Sequence, residues 1–498
     1  MIRRLLIANR GEIAVRIIRA CRELGVESVA VYSDADARAP HAVAADRAIA
    51  IGPAPARDSY LSIPRIIDAA QQSSADGVHP GYGFLAENAA FADACAEAGL
   101  VFVGPPASVI ARMGSKIDAR RVAQSAGVAI VPGEAPVDQS DSGVADALHR
   151  VGLPAMIKAS AGGGGKGMRR IGAPSEAVEA IQSARREAIA AFGDGSLYVE
   201  RLLERPRHVE VQVFGDGRGR IVHLFERDCS VQRRHQKIIE ESPSPVLTPR
   251  LRERMTAAAV AVATAADYRN AGTVEFLVDV SSLPPLEQSA VVPFYFLEVN
   301  TRLQVEHPVT EEVTGIDLVR AQLLVAGGEP LPWIDAVPGP RGHVIEARIY
   351  AEDPGNDFLP QAGRLLLYRE PRLPGVRIDA GVSEGGDISV HYDPIMAKVI
   401  ARAETRVLAI AKLSAALRAF PILGVRTNVP FLLRVLEDEK FHDGEIDTGF
   451  LDREGARFTA AGDEMPGFVQ RVAALADQPR HVTTATEQST TTKWDPWG

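Results

Sequence analysis

Over roughly its first hundred residues the chain alternates short apolar runs with amphipathic ones, and this limits its fold more than any other feature of the sequence. Residues 2–8 have the pattern of a buried strand. Ile13, Ile17, Cys21 and Leu24 then fall on one helical stripe, and Ser28 to Tyr32 forms a second apolar strand ending at Asp34. Consecutive strand–helix–strand units require parallel pairing, so a parallel sheet with helices on its faces is predicted to about residue 105. The first turn, Asn9-Arg10-Gly11-Glu12, lacks GxGxxG, which argues against a dinucleotide site there. Ala107 to Gly127 is expected to be helical and carries Lys116, and residues 131–203 have strands of their own and one helix, Pro174 to Phe192. From about residue 204 the alternating strands Val209–Val213 and Ile221–Phe225 open a larger α+β region that runs to about residue 455. Pro466 to Ala476 has the pattern of a short helix, and the threonine-rich stretch after Gln478 that of a linker. The expected divisions are 1–115, 116–203, 204–455 and 456–498.

A chain of 498 residues is long enough for two or three domains. No apolar run approaches the ~20 residues needed to span a bilayer, so no membrane role is expected. Cys21, Cys95 and Cys229 are far apart with no CxxC or Cys/His cluster, which points to a reducing compartment, the cytoplasm, without disulfides or zinc. A net charge of -9 argues against nucleic acid as a partner, so an anionic ligand must find its positive charge locally.

Three strings carry chemistry. Lys158-Ala159-Ser160-Ala161-Gly162-Gly163-Gly164-Gly165-Lys166-Gly167 follows a strand pattern, and its glycines let backbone N–H groups approach phosphate oxygens while lysines supply charge. It is not a Walker A loop, because Gly167 stands where Ser or Thr is needed, nor a Rossmann turn, because Met168 to Ile171 reads as a strand. The blander alternative is a flexible surface turn. From Leu297 to Glu306 the chain alternates strictly, which predicts a strand with Glu298, Asn300, Arg302, Gln304 and Glu306 on one face. Two carboxylates, a guanidinium and two amides can hold a metal and an oxyanion together, whereas an ordinary solvated face would carry Lys, Ser or Thr. Gly272 to Val278 is a second alternating strand, and a hairpin would set Glu275 beside Glu298, a hard oxygen site suited to Mg²⁺ between protein and nucleotide phosphates. Gln232-Arg233-Arg234-His235-Gln236-Lys237 is a basic cluster in an acidic chain, either an anion site or a charged face paired with Glu240 and Glu241. Arg348, on the alternating strand Val344 to Tyr350, and Asp393 stand out only in this context, and Cys229 reads as a buried structural thiol.

These strings, with Ile7-Ala8-Asn9-Arg10-Gly11-Glu12-Ile13-Ala14 and His79-Pro80-Gly81-Tyr82-Gly83-Phe84-Leu85-Ala86-Glu87-Asn88, resemble in order the signatures of biotin carboxylases of the ATP-grasp superfamily, over residues 1 to about 455. The resemblance implies a fold of mixed α/β and α+β class: a Rossmann-like N-terminal domain, an ATP-grasp lid over 131–203 that closes on ATP, and a C-terminal domain holding metal and substrates. It implies that Lys116, Lys158 and Gly163, Gly164 and Gly165 hold ATP phosphates. Glu200 and the backbone near Arg201 and Leu203 would hold adenine, with His208, Gln232 and His235 lining the nucleotide pocket. Glu275, Glu298 and Asn300 would hold Mg²⁺ (or Mn²⁺). Lys237, Arg302, Gln304 and the Val305 backbone would bind bicarbonate with Glu306 as its base, and Arg348 would bind biotin. The implied reaction is ATP-dependent carboxylation of biotin with bicarbonate, the first half-reaction of an acetyl-, propionyl- or methylcrotonyl-CoA carboxylase. Lys237, Arg302, Glu306 and Arg348 would be its catalytic set.

Two departures accompany the resemblance. Asp279 to Pro293 is longer than the family's hairpin turn and is expected to loop out, leaving Glu275 and Glu298 aligned. None of the seven methionines adjoins a lysine, so the Met-Lys-Met site of a biotin carrier is absent and biotin is expected on another domain or chain. The implied partners are a biotin carboxyl carrier, a carboxyltransferase and a second copy in a homodimer, where Arg16, Arg19, Glu23 and Arg377 match interface positions. Competing readings are another ATP-grasp ligase, of carbamoyl-phosphate synthetase or purine-pathway type, and a non-catalytic ATP-binding subunit.

Overall fold

The computed structural model describes residues 1–160, 167–234, 236–279 and 292–459. Residues 1–458 form one compact unit, and residues 459–498 are a separate one that lies, Thr459 apart, outside the described residues. Gly163, Gly164, Gly165 and His235, the tip of the 279–293 insertion, the helix expected at Pro466 to Ala476 and the linker after it also fall outside them. No helix among the described residues is long and apolar enough to cross a membrane.

The N-terminal alternation produces a five-stranded parallel sheet. Its strands are β1 (Arg4–Ile7), β2 (Glu27–Tyr32), β3 (Arg47–Ala50), β4 (Gly77–His79) and β5 (Val101–Phe102), in the order β3-β2-β1-β4-β5. Helix α1 (Gly11–Leu24) returns the chain from β1 to β2 and buries Ile13, Ile17 and Cys21, the predicted stripe. In this order the strands leave a crevice at the carboxyl ends of β1 and β4, where open α/β sheets place ligands. The two loops there are tied together, since Asn9 donates from Nδ2 to the carbonyls of Pro80 and Tyr82, 2.7 Å each. Gly81 is a glycine of necessity: its φ is +64°, and a Cβ would lie 2.8 Å from Asn9 Nδ2.

The stretch expected as one helix from Ala107 to Gly127 is two, divided at Ser115, whose Oγ caps α2 (Lys116–Ser125) and leaves Lys116 in its first turn. Next comes a four-stranded sheet of β6 (Gly133–Glu134), β7 (Ala155–Ala159), β8 (Arg169–Ile171) and β9 (Leu197–Arg201), ordered β6-β9-β7-β8. It packs against α3 (Asp141–Val151) and α4 (Ala177–Phe192). One helix was expected here and two α-helices are present among the described residues; Ser140, capping α3 through Gly143 N–H, is the signal that identifies the other.

An eight-stranded antiparallel sheet dominates the rest. Its strands are β10 (Pro206–Gly215), β11 (Ile221–Arg233), β12 (Gln236–Ser242), β13 (Asn270–Asp279), β14 (Phe294–Asn300), β15 (His343–Tyr350), β16 (Val376–Ala380) and β17 (Ile395–Ala403), and the order is β14-β13-β10-β11-β12-β15-β17-β16. Val209, Val211 and Val213 of β10, with Val274 and Phe276 of β13, bury one face against α5 (Pro249–Ala265), while the carboxylates between them point to the other face. Asp279 N–H donates to Pro293 O at 3.0 Å, so the strands flanking the insertion stay paired up to its base.

Gly81→Ala and Gly83→Ala should separate left-handed strain from collision. Both residues have positive φ, which costs a residue with a Cβ about 1–2 kcal/mol, but a Cβ on Gly83 meets nothing within 4 Å. Urea unfolding should therefore show the larger loss for Gly81→Ala, and equal losses would refute the Asn9 contact as the reason for glycine.

Candidate active site

Strands β13 and β14 pair with Glu275 opposite Glu298 and Thr273 opposite Asn300, the predicted hairpin. The strand predicted to continue to Glu306 ends at Asn300 instead. Pro308 stands in the first turn of α6 (His307–Thr314), whose start forces the preceding residues into a turn. Pro308 was the sequence signal that the alternation overrode. The polar residues still converge, because Arg302 folds the turn around itself. It donates to Gln304 Oε1 at 2.6 Å, to Asn300 Oδ1 at 3.2 Å and to Leu303 O at 3.2 Å. Glu87, from the His79–Asn88 string, accepts from Arg302 Nε at 2.9 Å and from Thr301 N–H at 3.2 Å. The N-terminal sheet thereby holds the turn in place.

At the centre lies the Lys237 ammonium. It donates to Glu210 Oε2 at 2.5 Å, Glu275 Oε1 at 2.8 Å and Glu306 Oε1 at 2.7 Å. Arg227 closes the back of the cluster on Glu210 at 2.6 Å, and His208 Nε2 lies 2.8 Å from Glu275. Arg348 reaches in from β15, donating from Nε to Glu240 at 2.6 Å and from Nη2 to Glu306 at 2.9 Å. Burial alone would raise the Glu306 carboxyl, but Lys237, Arg348 and Arg227 outweigh it and hold Glu306 well below the usual range. Burial likewise pushes Glu275 up, and Lys237 and His208 bring it strongly down. Glu210 stays raised by burial and by Glu306. Glu210, Arg227, Glu240 and Glu87 were given no site role from the sequence. A lone carboxylate between valines in Val209-Glu210-Val211 was the available signal for the first.

Within the basic cluster, Gln232, Arg234, Gln236 and Lys237 all line the cavity of this site. Gln232 pairs in register with Lys237 at the end of the β11–β12 hairpin. Arg233 is bound to Glu352 and Arg234 to Asp357, so these two follow the paired-charge alternative, with partners other than Glu240 and Glu241. Glu241 instead takes His343 and Arg406.

A cavity of about 730 Å³ joins these groups to the four-stranded sheet. Lys116, Lys158, Glu200, Arg201, Leu203, His208, Gln232, Lys237, Glu275, Glu298, Asn300, Arg302, Gln304, Val305, Glu306 and Arg348 all line it. Lys158 pairs with Glu200, which also accepts from Arg120 at 3.0 Å. Met156, Met168, Leu203 and Leu277 give the same end an apolar wall suited to a flat base. Lys116 lies 3.4 Å from Glu298. Glu275 and Glu298 therefore face the cavity side by side with an ammonium on each, a hard oxygen pair that fits Mg²⁺. Asn300 presently donates from Nδ2 to Glu275 at 2.8 Å and turns its Oδ1 to Arg302. Of the expected interface residues, Arg16 is buried within the chain on Glu311 and Asp317.

Residues 1–110 match the family described as biotin carboxylase, N-terminal domain, and residues 346–453 the biotin carboxylase C-terminal domain. Residues 115–334 match the ATP binding domain of the carbamoyl-phosphate synthase L chain. The chain is 50% identical to the mitochondrial methylcrotonoyl-CoA carboxylase subunit alpha of Rattus norvegicus over 90% of its own length, and spans 62% of that relative. It is 49% identical to a biotin carboxylase of Halalkalibacterium halodurans, covering 91% of this chain and 97% of the relative. Among solved structures, the biotin carboxylase domain dimer of Hydrogenobacter thermophilus 2-oxoglutarate carboxylase, in complex with MgADP, ADP and bicarbonate, superposes with a TM-score of 0.87 at 41% identity. The match covers 93% of this chain and 99% of that one.

Cys229 Sγ lies 3.9 Å from Glu306 Oε1 at the rear of the site. Burial and the neighbouring Glu210 push its thiol well above the ordinary value, and burial takes Cys21 and Cys95 to about 12. All three are buried. Native protein at pH 7.5 should therefore resist iodoacetamide and label fully only in denaturant. Rapid labelling of Cys229, read by mass spectrometry, would contradict the buried-thiol assignment.

Proposed function

Because the chain belongs to the biotin carboxylase family, we propose that it uses ATP and bicarbonate to carboxylate a biotin carried on another domain or chain, as the first half-reaction of a biotin-dependent carboxylase. One observation carries this reading. A single cavity holds a hard carboxylate pair, an oxyanion row with a buried base, and a separate guanidinium, so metal nucleotide, bicarbonate and a third reactant can meet there. The similarity to methylcrotonoyl-CoA carboxylase α-subunits makes an acyl-CoA the favoured final acceptor. It also supports a carrier and a carboxyltransferase as partners, and the dimeric biotin carboxylase domain supports a homodimer. The domain divisions drawn from the sequence belong to the same proposal.

Each residue then has a task set by its position. Lys116 and Lys158, at the mouth of the four-stranded sheet, offer charge to nucleotide phosphates, and Glu200, Arg201 and Leu203 face the base. His208 and Gln232 complete that wall. Glu275, Glu298 and Asn300 would hold Mg²⁺, which when bound neutralises phosphate charge and orients the γ-phosphoryl group. Arg302, Gln304, Lys237 and the Val305 backbone hold bicarbonate, and Glu306 takes its proton. Its oxygen attacks the γ-phosphorus, ADP leaves, and the carboxyphosphate formed yields CO₂ and phosphate. Phosphate removes the biotin N1 proton, Arg348 stabilises the ureido oxygen as charge develops, and N1 attacks CO₂.

A base held far below the usual carboxylate range is a weak one, but Glu306 is held there by Lys237 and Arg348. An arriving bicarbonate draws Lys237 toward itself and so raises Glu306 at the moment its basicity is needed.

ATP turnover should require both Mg²⁺ and bicarbonate and accelerate with free biotin. Equal hydrolysis without bicarbonate, by coupled ADP assay, would contradict the function. Glu306→Gln keeps size and hydrogen bonding but cannot accept a proton, so kcat should fall by roughly 10²–10⁴ with a much smaller change in the KM for ATP. A folded variant within a few-fold of wild type would place the base elsewhere.

A further inference from the structure

Glu240 on β12 and Glu346 on β15 face each other in the antiparallel ladder, and both are fully buried. They are bonded very differently. Glu240 Oε1 takes both the Nε and the Nη2 of Arg348, at 2.6 and 2.5 Å. Glu346 has no hydrogen-bond partner for either oxygen. A buried carboxylate without donors is costly in its charged form, and burial raises Glu346 far above the ordinary range, with Lys398 the largest opposing influence. Glu240 is also raised by burial and drawn back chiefly by Arg348. Of two like groups on one face, one is left without a donor and the other serves the arginine. The charges around them are Arg348 on β15, Lys398 on β17, Lys237 on β12 and Glu306 before α6.

Arg348 stands between two carboxylates, Glu240 beneath it and Glu306 at the cavity. With Glu240 neutral, the whole fork would turn to Glu306 as a bidentate pair, covering the base and withdrawing the donor from the third reactant. We propose that Glu240 is a positioning residue: it anchors the Nε edge of Arg348 to β12, keeping the guanidinium at the cavity wall and Glu306 open to bicarbonate. The inference rests on the biotin role of Arg348 for its kinetic consequence, but not for its geometry.

The test compares Glu240→Gln with Glu346→Gln, each of unchanged size, by crystallography and by steady-state kinetics with free biotin. In Glu240→Gln the Arg348 guanidinium should swing toward Glu306, and kcat/KM for biotin should fall about 10- to 100-fold, as for other residues that orient a functional group, while the KM for ATP changes little. Glu346→Gln should leave both within about two-fold, since neither carboxyl oxygen has a hydrogen bond to lose. Glu240→Asp keeps the charge and should recover part of the loss; it replaces Glu240→Gln should the latter not fold. An acid limb in kcat/KM for biotin, measured with bicarbonate itself held saturating, should be present in wild type and absent from Glu240→Gln. An unmoved Arg348, or equal losses in the two glutamine variants, would overturn the proposal. A wild-type protein without biotin-stimulated turnover would instead defeat the function, and the crystal comparison would still decide Glu240.

Discussion

The site depends on one ammonium group. Three carboxylates from three different places, Glu210 on β10, Glu275 on β13 and Glu306 before α6, meet at Lys237. Each charge pair at about 4 Å is worth about 4 kcal/mol where the effective dielectric constant is near 20, and the carboxylates repel one another on the same scale. A single cation cannot neutralise three anions, so Arg227, His208 and Arg348 must each take one of them from behind. The cations at hand thus match the carboxylates, and Lys116 on Glu298 and Lys158 on Glu200 extend the same pairing along the cavity.

The antiparallel sheet makes such density possible. Neighbouring strands lie about 4.8 Å apart, so side chains in register on one face are within ion-pair reach. Glu210 opposite Glu275, and Glu275 opposite Glu298, form a carboxylate row across β10, β13 and β14. Lys237 enters at the mouth of the β11–β12 hairpin, and Lys398 of β17 lies opposite Arg348 of β15, where it donates to Val305 O at 2.8 Å. That last bond fixes the backbone just before the base. Because the opposite face is filled by valine and phenylalanine, a slip of one residue in register would exchange core for carboxylate. The hydrophobic core and the carboxylate row are thus set by the same constraint.

Local patterns carried most of what the sequence made legible. The parallel N-terminal sheet followed from period and order, and the Glu275–Glu298 pairing followed from two alternating strands despite the insertion between them. Alternation failed at Thr301, because a turn around a half-buried arginine can keep polar residues together without a strand, and periodicity cannot distinguish the two. The partners of Arg233 and Arg234 lay more than a hundred residues away, where no local pattern reaches. Glu87 and Glu240 were named in the sequence without a site role for a related reason: each acts on an arginine that the sequence places far from it, and a carboxylate's value to a site depends on the cation it meets in the fold.

That dependence also links the two halves of the proposed reaction. Glu306 is shared between Lys237, on the side proposed for bicarbonate, and Arg348, on the side proposed for biotin. While Glu306 is ionised, it holds part of the Arg348 fork and limits what the guanidinium can offer another oxygen. Once Glu306 has taken the bicarbonate proton, its attraction for Arg348 weakens, and the donor becomes available as charge develops on the ureido oxygen. Glu240 keeps the guanidinium in place through the change, because besides the shared Nη2 it holds Nε, which is not bonded to Glu306. In the proposed reaction, charge passing through one shared carboxylate orders the two steps, and Glu306, Arg348 and Glu240 are buried together where that charge is felt.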